Sequence, residues 1–140
     1  MNKQLLVILA LVPTLMVANE RSFEQASAIA QQFMYSQSSA HRAPGAQVKP
    51  QCVYTQSMPN LEREAFYVFN NEDKGFVIVS AETNAPEIIG YSTENTFVNK
   101  NLPAHIQAWF DYYAQQLEWL AEHPTAKGFT SSKTYTPIAP

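Results

Sequence analysis

The side chains with the chemistry for catalysis are a single cysteine and three histidines. Cys52 could act as a nucleophile if a histidine removed its proton. The candidates for that base are His41, His105 and His123. The histidines lie far apart, and none falls in a metal-ligand spacing such as HExxH, so the sequence predicts no metal site and no other cofactor. An enzyme that depends on Cys52 is one open interpretation.

The surroundings of Cys52 favour a structural role instead. The residue lies in KPQCVYTQ, a stretch typical of a β-strand, and free cysteines are among the most buried residues in proteins. A lone cysteine also cannot form an intramolecular disulfide. We therefore expect Cys52 to be buried and the chain not to be an enzyme.

The composition is that of one globular domain. Of the 140 residues 46% are hydrophobic and 15% are charged, which favours a modest core and argues against disorder. The net charge is −3 and no basic patch is visible, so we expect no nucleic-acid partner.

Residues 1–18 have the pattern of a signal peptide. Lys3 gives a short positive start, and the apolar run LLVILALVPTLMVA is shorter than a membrane span of about 20 residues. We expect cleavage near Asn19, and hence a secreted or periplasmic bacterial protein with no stable membrane association after cleavage. An uncleaved membrane anchor is the alternative.

Two amphipathic helices are predicted, one on each side of a central region. Residues 23–36 carry apolar side chains at helical spacing, and Ser22 with Gln25 forms a capping-box pattern. A second helix, with Pro103 in its first turn, carries a wider apolar stripe. The stripe consists of Ile106, Trp109, Phe110, Tyr113, Leu117 and Leu120.

The central region predicts three or four strands. QCVYTQ is a short strand, FYVF and GFVIVS form a hairpin closed at Gly75, and EIIGYS is a further strand. Residues 66–69 are all apolar, so we expect both faces of that strand to be covered. The predicted fold is α+β, an antiparallel sheet of three to four strands packed by an N-terminal and a C-terminal amphipathic helix, with the helices on one face.

This domain spans residues 19–123. Residues 124–140 are rich in Pro, Ser and Thr without any period, and we interpret them as an extended linker or tail.

The strand region carries a family resemblance. FYVFNNEDKGFVIVSAETNAPEIIGYSTENTF, followed by the aromatic-rich helix IQAWFDYYAQQL, is similar to the prosegment of the streptopain family of papain-like cysteine proteases. The resemblance runs from about Phe23 to Leu120, and the same fold occurs in stand-alone inhibitors. It implies an inhibitor of a streptopain-like cysteine protease that covers the active-site cleft and displaces the catalytic histidine. The family's nucleophile lies in a Gly-Cys context that Cys52 lacks.

The resemblance also implies which residues contact the protease. In this family the segment that leads into the second helix reaches the cleft, and His105 stands where the streptococcal prosegment carries an Asn. The turn before Phe97 is a second candidate contact. The predicted contacts are Leu102, Pro103, His105, Ile106, Ser92 and Asn95. The alternative for His105 is that it is simply an exposed residue in the first turn of the helix. The alternative for the turn of residues 92–95 is that it is simply exposed to solvent.

Two further questions stay open at this point. The chain could be a free inhibitor, or the pro-part of a protease cut at Pro140, and the tail slightly favours the second. A different class of function is a secreted or surface adhesion module that reuses the fold. That module would carry an exposed aromatic patch unrelated to residues 102–106.

Overall fold

The computed structural model of the protein describes residues 19–38, 48–72 and 74–126. Its elements are α1 (Phe23–Ser38), β1 (Gln51–Ser57), β2 (Glu64–Asn70), β3 (Phe76–Ser80), β4 (Ile88–Ser92) and α2 (Ala104–Glu122). The α+β class and the two flanking helices are confirmed. The predicted signal peptide, His41 and all but residues 124–126 of the predicted tail lie outside the described residues.

The four strands form one antiparallel sheet in the order β1-β2-β3-β4, so each strand pairs with its neighbour in sequence. The β2–β3 pair is regular, with Val68 opposite Ile78. A bulge in β1 between Cys52 and Tyr54 turns these two side chains to different faces of the sheet.

The two helices cover opposite faces of this sheet, and the expectation that both lie on one face is wrong. Side chains alternate between faces along a strand, and β2 and β3 are apolar at successive positions, so each face needs its own cover. The expectation that both faces of residues 66–69 are covered is confirmed. The α1 face holds Tyr67, Phe69, Val77 and Val79, and the α2 face holds Phe66, Val68 and Ile78.

The predicted capping box starts α1. The backbone N–H of Ser22 donates to Oε1 of Gln25 at 2.9 Å, and the N–H of Gln25 donates to Oγ of Ser22 at 3.2 Å. Phe23 is 46% exposed although its ring contacts Tyr67 and Phe69. The rest of the predicted face is buried, namely Ala26, Ala30, Phe33 and Met34.

A buried polar cluster that the sequence did not predict holds the segment before α1. The guanidinium of Arg21 donates to Oγ of Ser80 and to the carbonyl of Glu82, both at 2.7 Å. The Glu82 side chain is fully buried and pairs with Arg63 at 3.2 Å. The first described residues are therefore part of the folded domain.

Candidate functional site

All six predicted contact residues line one groove. The groove has a volume of about 340 Å³ and lies between the start of α2, the end of β4 and the loop of residues 93–103. Its lining includes Ser92, Asn95, Leu102, Pro103, His105 and Ile106. Two segments that are separate in sequence therefore form one continuous surface.

The walls of the groove are mainly apolar, and four of the thirteen described lining residues are Phe or Trp. The ring centroid of Phe97 lies 5.7 Å from that of Phe76 and 5.9 Å from that of Phe110. Phe110 is buried, whereas Phe76, Phe97 and Trp109 stay partly exposed toward the opening. An apolar stripe such as the one predicted on α2 usually packs in the core, and its periodicity does not show that Trp109 also lines a surface groove.

The start of α2 positions the first candidate segment. Pro103 is the N-cap residue, with φ −55° and ψ 144°, and its carbonyl accepts from the N–H groups of Ile106 and Gln107 at 2.9 and 3.0 Å. The fixed φ of proline suits the entry to a helix. Leu102 and Ile106 are half-buried against the α2-side core, and His105 is exposed in the first turn.

The end of β4 positions the second segment. Oγ of Ser92 accepts hydrogen bonds from the N–H groups of Glu94 and Asn95 at 3.3 and 3.1 Å, which closes a tight turn. Gly75 lies directly behind this turn with φ +94°, and a Cβ there would lie 2.7 Å from the Ser92 carbonyl oxygen. Only glycine fits at this position. The turn at Gly75 that the sequence predicted is thus confirmed, with a role in shaping the groove.

Asn70 holds the backbone of Phe97, which lines the groove, and the sequence did not predict this role. Its side chain bonds both the N–H and the carbonyl of Phe97. A polar residue at the end of the apolar run AFYVFN is the signal that could have found it, because buried amides need partners.

The far end of α2 is fixed by a buried carboxylate. Glu118 is 6% exposed, and it accepts hydrogen bonds from the backbone and side-chain nitrogens of Asn60 at 2.7 Å each and from the N–H of Leu61 at 3.3 Å. The hydrogen bonds from the Asn60 side chain, then from the backbone, hold the pKa of Glu118 below its ordinary value. The helix that carries the groove is therefore attached at both ends.

The structure does not bring Cys52 together with a described histidine. Cys52 is partly buried on the α1 side, with Sγ 3.6 Å from the carbonyl oxygen of Tyr54. His105 and His123 belong to the opposite side, in α2 and at its C-terminal end. The His123 ring stacks on Trp119 at a centroid distance of 4.2 Å.

The described part of the chain was also searched for a metal site and for a membrane-spanning helix. Among residues 19–38, 48–72 and 74–126, no three His, Cys, Asp or Glu side chains come together as a possible metal site. The described helices are also too short or too polar to cross a bilayer.

Comparison with known proteins assigns the family. A family model described as Spi protease inhibitor matches residues 16–117. The chain belongs to the Spi protease inhibitor family, and the resemblance to a streptopain-family prosegment is confirmed.

The similar curated proteins are much longer than this chain. Streptopain of Streptococcus pyogenes is 40% identical over 58 residues, which cover 41% of this chain and 14% of streptopain. The thiol protease/hemagglutinin PrtT of Porphyromonas gingivalis is 33% identical over 57 residues, which cover 40% of this chain and 7% of PrtT. No solved structure matches.

Proposed function

We propose that this chain inhibits a streptopain-like cysteine protease by binding over its active-site cleft. The protease domain could be attached in cis or separate in trans, because the binding surface is the same in both cases. The observation that carries the proposal is the groove, around which both candidate contact segments meet. Membership of the Spi protease inhibitor family supports a protease as the partner.

The chemistry of cysteine proteases explains how such a chain would inhibit. The nucleophile is a thiolate, and its formation depends on a correctly placed histidine. We infer that the first turn of α2, with His105 and Ile106, enters the cleft and holds the catalytic histidine away from the thiol. The rigid attachment of α2 supports this role, because a preformed surface loses little conformational entropy on binding.

The location of the chain belongs to the same proposal. The signal-peptide pattern of residues 1–18 supports action outside the cytoplasm, where a secreted or periplasmic protease would be the partner.

A matched pair of double variants tests the contact surface. The full chain, purified after expression from Met1, is titrated into a mature streptopain-like protease of the same organism, with papain as a specificity control. Replacing His105 and Ile106 together by Ala should weaken inhibition by about 100-fold, the effect of losing two central contacts. Replacing Tyr112 and Trp119 by Ala should leave inhibition unchanged. Equal effects of the two double variants would reject the proposed surface.

Displacement of the catalytic histidine has its own test. The thiol of a histidine-paired cysteine titrates at a pH of about 3–4, whereas an unpaired thiol titrates near about 8.5. The rate of alkylation of the protease by iodoacetamide is measured against pH in the complex, with a C52A inhibitor that contributes no thiol. We expect the alkylation rate in the complex to rise only as the pH approaches about 8.5, the value for an unpaired thiol. A profile unchanged from that of the free protease would contradict displacement.

One observation favours the adhesion module as a second candidate. Tyr112 and Trp119 are 58% and 52% exposed and lie two turns apart on the outer side of α2. If the chain bound a surface through them, the Y112A/W119A variant would lose that binding while the H105A/I106A variant kept it.

A further inference from the structure

We propose that the groove is a socket for an uncharged aromatic side chain on a surface loop of the protease. In the groove the inhibitor would bind a side chain of the protease, in addition to inserting the first turn of α2 into the active-site cleft. The inference rests on the proposed function and adds to it the chemical identity of what fills the groove.

The groove leaves apolar surface open in the free chain. Leu102, Ile106 and Trp109 point into it from the α2 side, and each remains partly exposed. Val98 at the rim is 64% exposed. A contiguous apolar opening with a polar rim is typical of an interaction site, since burial of such surface stabilises a complex.

The lining excludes an ionised occupant. Of the thirteen described residues that form the groove, none is Lys, Arg, Asp or Glu. A charged side chain placed there would lose its hydration and would find no Lys, Arg, Asp or Glu in the lining to pair with, which is unfavourable. The occupant must therefore be neutral.

The size and the ring arrangement select an aromatic group. A volume of about 340 Å³ is at the lower end of the range for ligand sites, which favours one large side chain over an extended ligand. The exposed parts of Phe76, Phe97 and Trp109 offer ring faces and edges, and aromatic rings prefer tilted or edge-to-face contact with one another. The lining also includes the polar residues Ser92 and Asn95, whose side chains could hydrogen-bond the backbone of the incoming loop.

The socket is already formed in the free chain. The ring of Phe97 lies within 6 Å of three other aromatic rings, those of Tyr54, Phe76 and Phe110. Its backbone is bonded to Asn70. A partner side chain would therefore enter without rearranging the walls, as expected of preorganised sites.

Tryptophan fluorescence gives a direct test, because Trp109 lines the groove and the chain has only one other tryptophan. In the W119F variant of the full chain, Trp109 is the only tryptophan. When this variant is produced with 5-hydroxytryptophan, residue 109 can be excited at wavelengths that ordinary tryptophans of the protease do not absorb. Quenching of its emission by acrylamide is measured for the free chain and for its complex with the mature protease. We expect residue 109 to become shielded in the complex.

Two lysine variants at exposed apolar positions complete the test. Val98 lines the groove, is 64% exposed and is not one of the predicted cleft contacts, and Tyr112 on the outer side of α2 is 58% exposed. Val98→Lys should weaken inhibition at least about tenfold, whereas Tyr112→Lys should match the parent chain. In the absence of protease, millimolar N-acetyl-phenylalanine amide should shield Trp109 of the free W119F chain from acrylamide, and N-acetyl-lysine amide should not.

The outcomes separate the socket from the proposed function. If the parent chain inhibits but residue 109 stays equally quenchable and Val98→Lys behaves like Tyr112→Lys, the socket is rejected and inhibition stands. If the parent chain neither binds nor inhibits the protease, the proposed function fails and the socket fails with it.

Discussion

The side-chain amide of Asn70 bonds the backbone of Phe97 twice, with Nδ2 donating to the carbonyl and Oδ1 accepting from the N–H, each at 2.9 Å. Asn70 is the last residue of β2 and is buried, and Phe97 lines the groove. One side chain thus provides the hydrogen bonds that a neighbouring strand would otherwise supply. The groove depends on this pair because no strand or helix contains the loop of residues 93–103.

Replacing Asn70 by Ala should destabilise the fold and weaken inhibition together. Both polar groups of the Phe97 backbone would lose their partner, at a cost of about 2 kcal/mol in the free energy of unfolding. Asn99→Ala is the matched control, since Asn99 donates one exposed hydrogen bond to Val53 at 2.9 Å. Urea unfolding and inhibition titrations measure both effects. Equal stability of the two variants would show that the pair does not hold the loop.

Gly75→Ala should disturb the rim of the groove from behind. The new Cβ would lie 2.7 Å from the backbone oxygen of Ser92, at a residue whose φ is +94°. We expect a loss of about 1–3 kcal/mol in unfolding free energy, because strain at positive φ adds to the clash. Thermal unfolding measures it, and inhibition should weaken because the turn at Ser92 shifts. A variant as stable and as inhibitory as the parent would contradict this account of the turn.

Glu118→Gln should lower the thermal midpoint by several degrees at neutral pH. A neutral amide has one acceptor oxygen and would turn its NH₂ group toward N–H groups of Asn60 or Leu61, which now meet a carboxylate. The measurement is a thermal unfolding curve of each protein at several pH values.

The pH dependence of this effect has a defined sign. Hydrogen bonds from Asn60 lower the pKa of Glu118 in the folded state, so the unfolded chain binds more protons in the acid range. The stabilisation is complete above the unfolded pKa of about 4.3 and is lost as the pH falls through the lower folded value. The difference in thermal midpoint between the parent chain and Glu118→Gln should therefore shrink as the pH falls from the unfolded pKa through the folded pKa of Glu118. A difference in thermal midpoint that stayed constant down to strong acid would contradict stabilisation by the Glu118 carboxylate.

Arg21→Met should be among the most destabilising single changes. The guanidinium is buried and donates to oxygens of Ser80, Glu82 and Ala85, so its loss leaves several acceptors without a donor. We expect a cost of about 3 kcal/mol. Lys74→Met is the control. It removes an exposed ion pair to Glu94 and should cost at most about 0.5 kcal/mol. Similar urea midpoints for both variants would contradict the claim that the hydrogen bonds of Arg21 stabilise the fold.

The sequence predicted the local features because their signals are local. The capping box at Ser22, the positive φ at Gly75 and the helix after Pro103 each depend on residues close together in the chain. The resemblance to streptopain prosegments selected the two segments that the structure brings together at the groove.

The remaining features depend on pairs that are distant in sequence. Asn60 and Glu118 are 58 residues apart, and Asn70 and Phe97 are 27 apart, so no window of sequence contains both partners. The periodicity of a helix shows that it has an apolar face but not which side of the sheet that face meets. For this reason α1 and α2 were expected on one face, although the apolar residues 66–69 required cover on both.

The most direct measurement of the central claim is a titration of protease activity. Increasing amounts of the full chain are added to a fixed amount of mature streptopain-like protease from the same organism, and peptide hydrolysis is measured. We expect activity to fall linearly to near zero at equimolar inhibitor, while papain keeps its activity. Full protease activity at a large molar excess of the chain, with no complex detected by gel filtration, would contradict the claim.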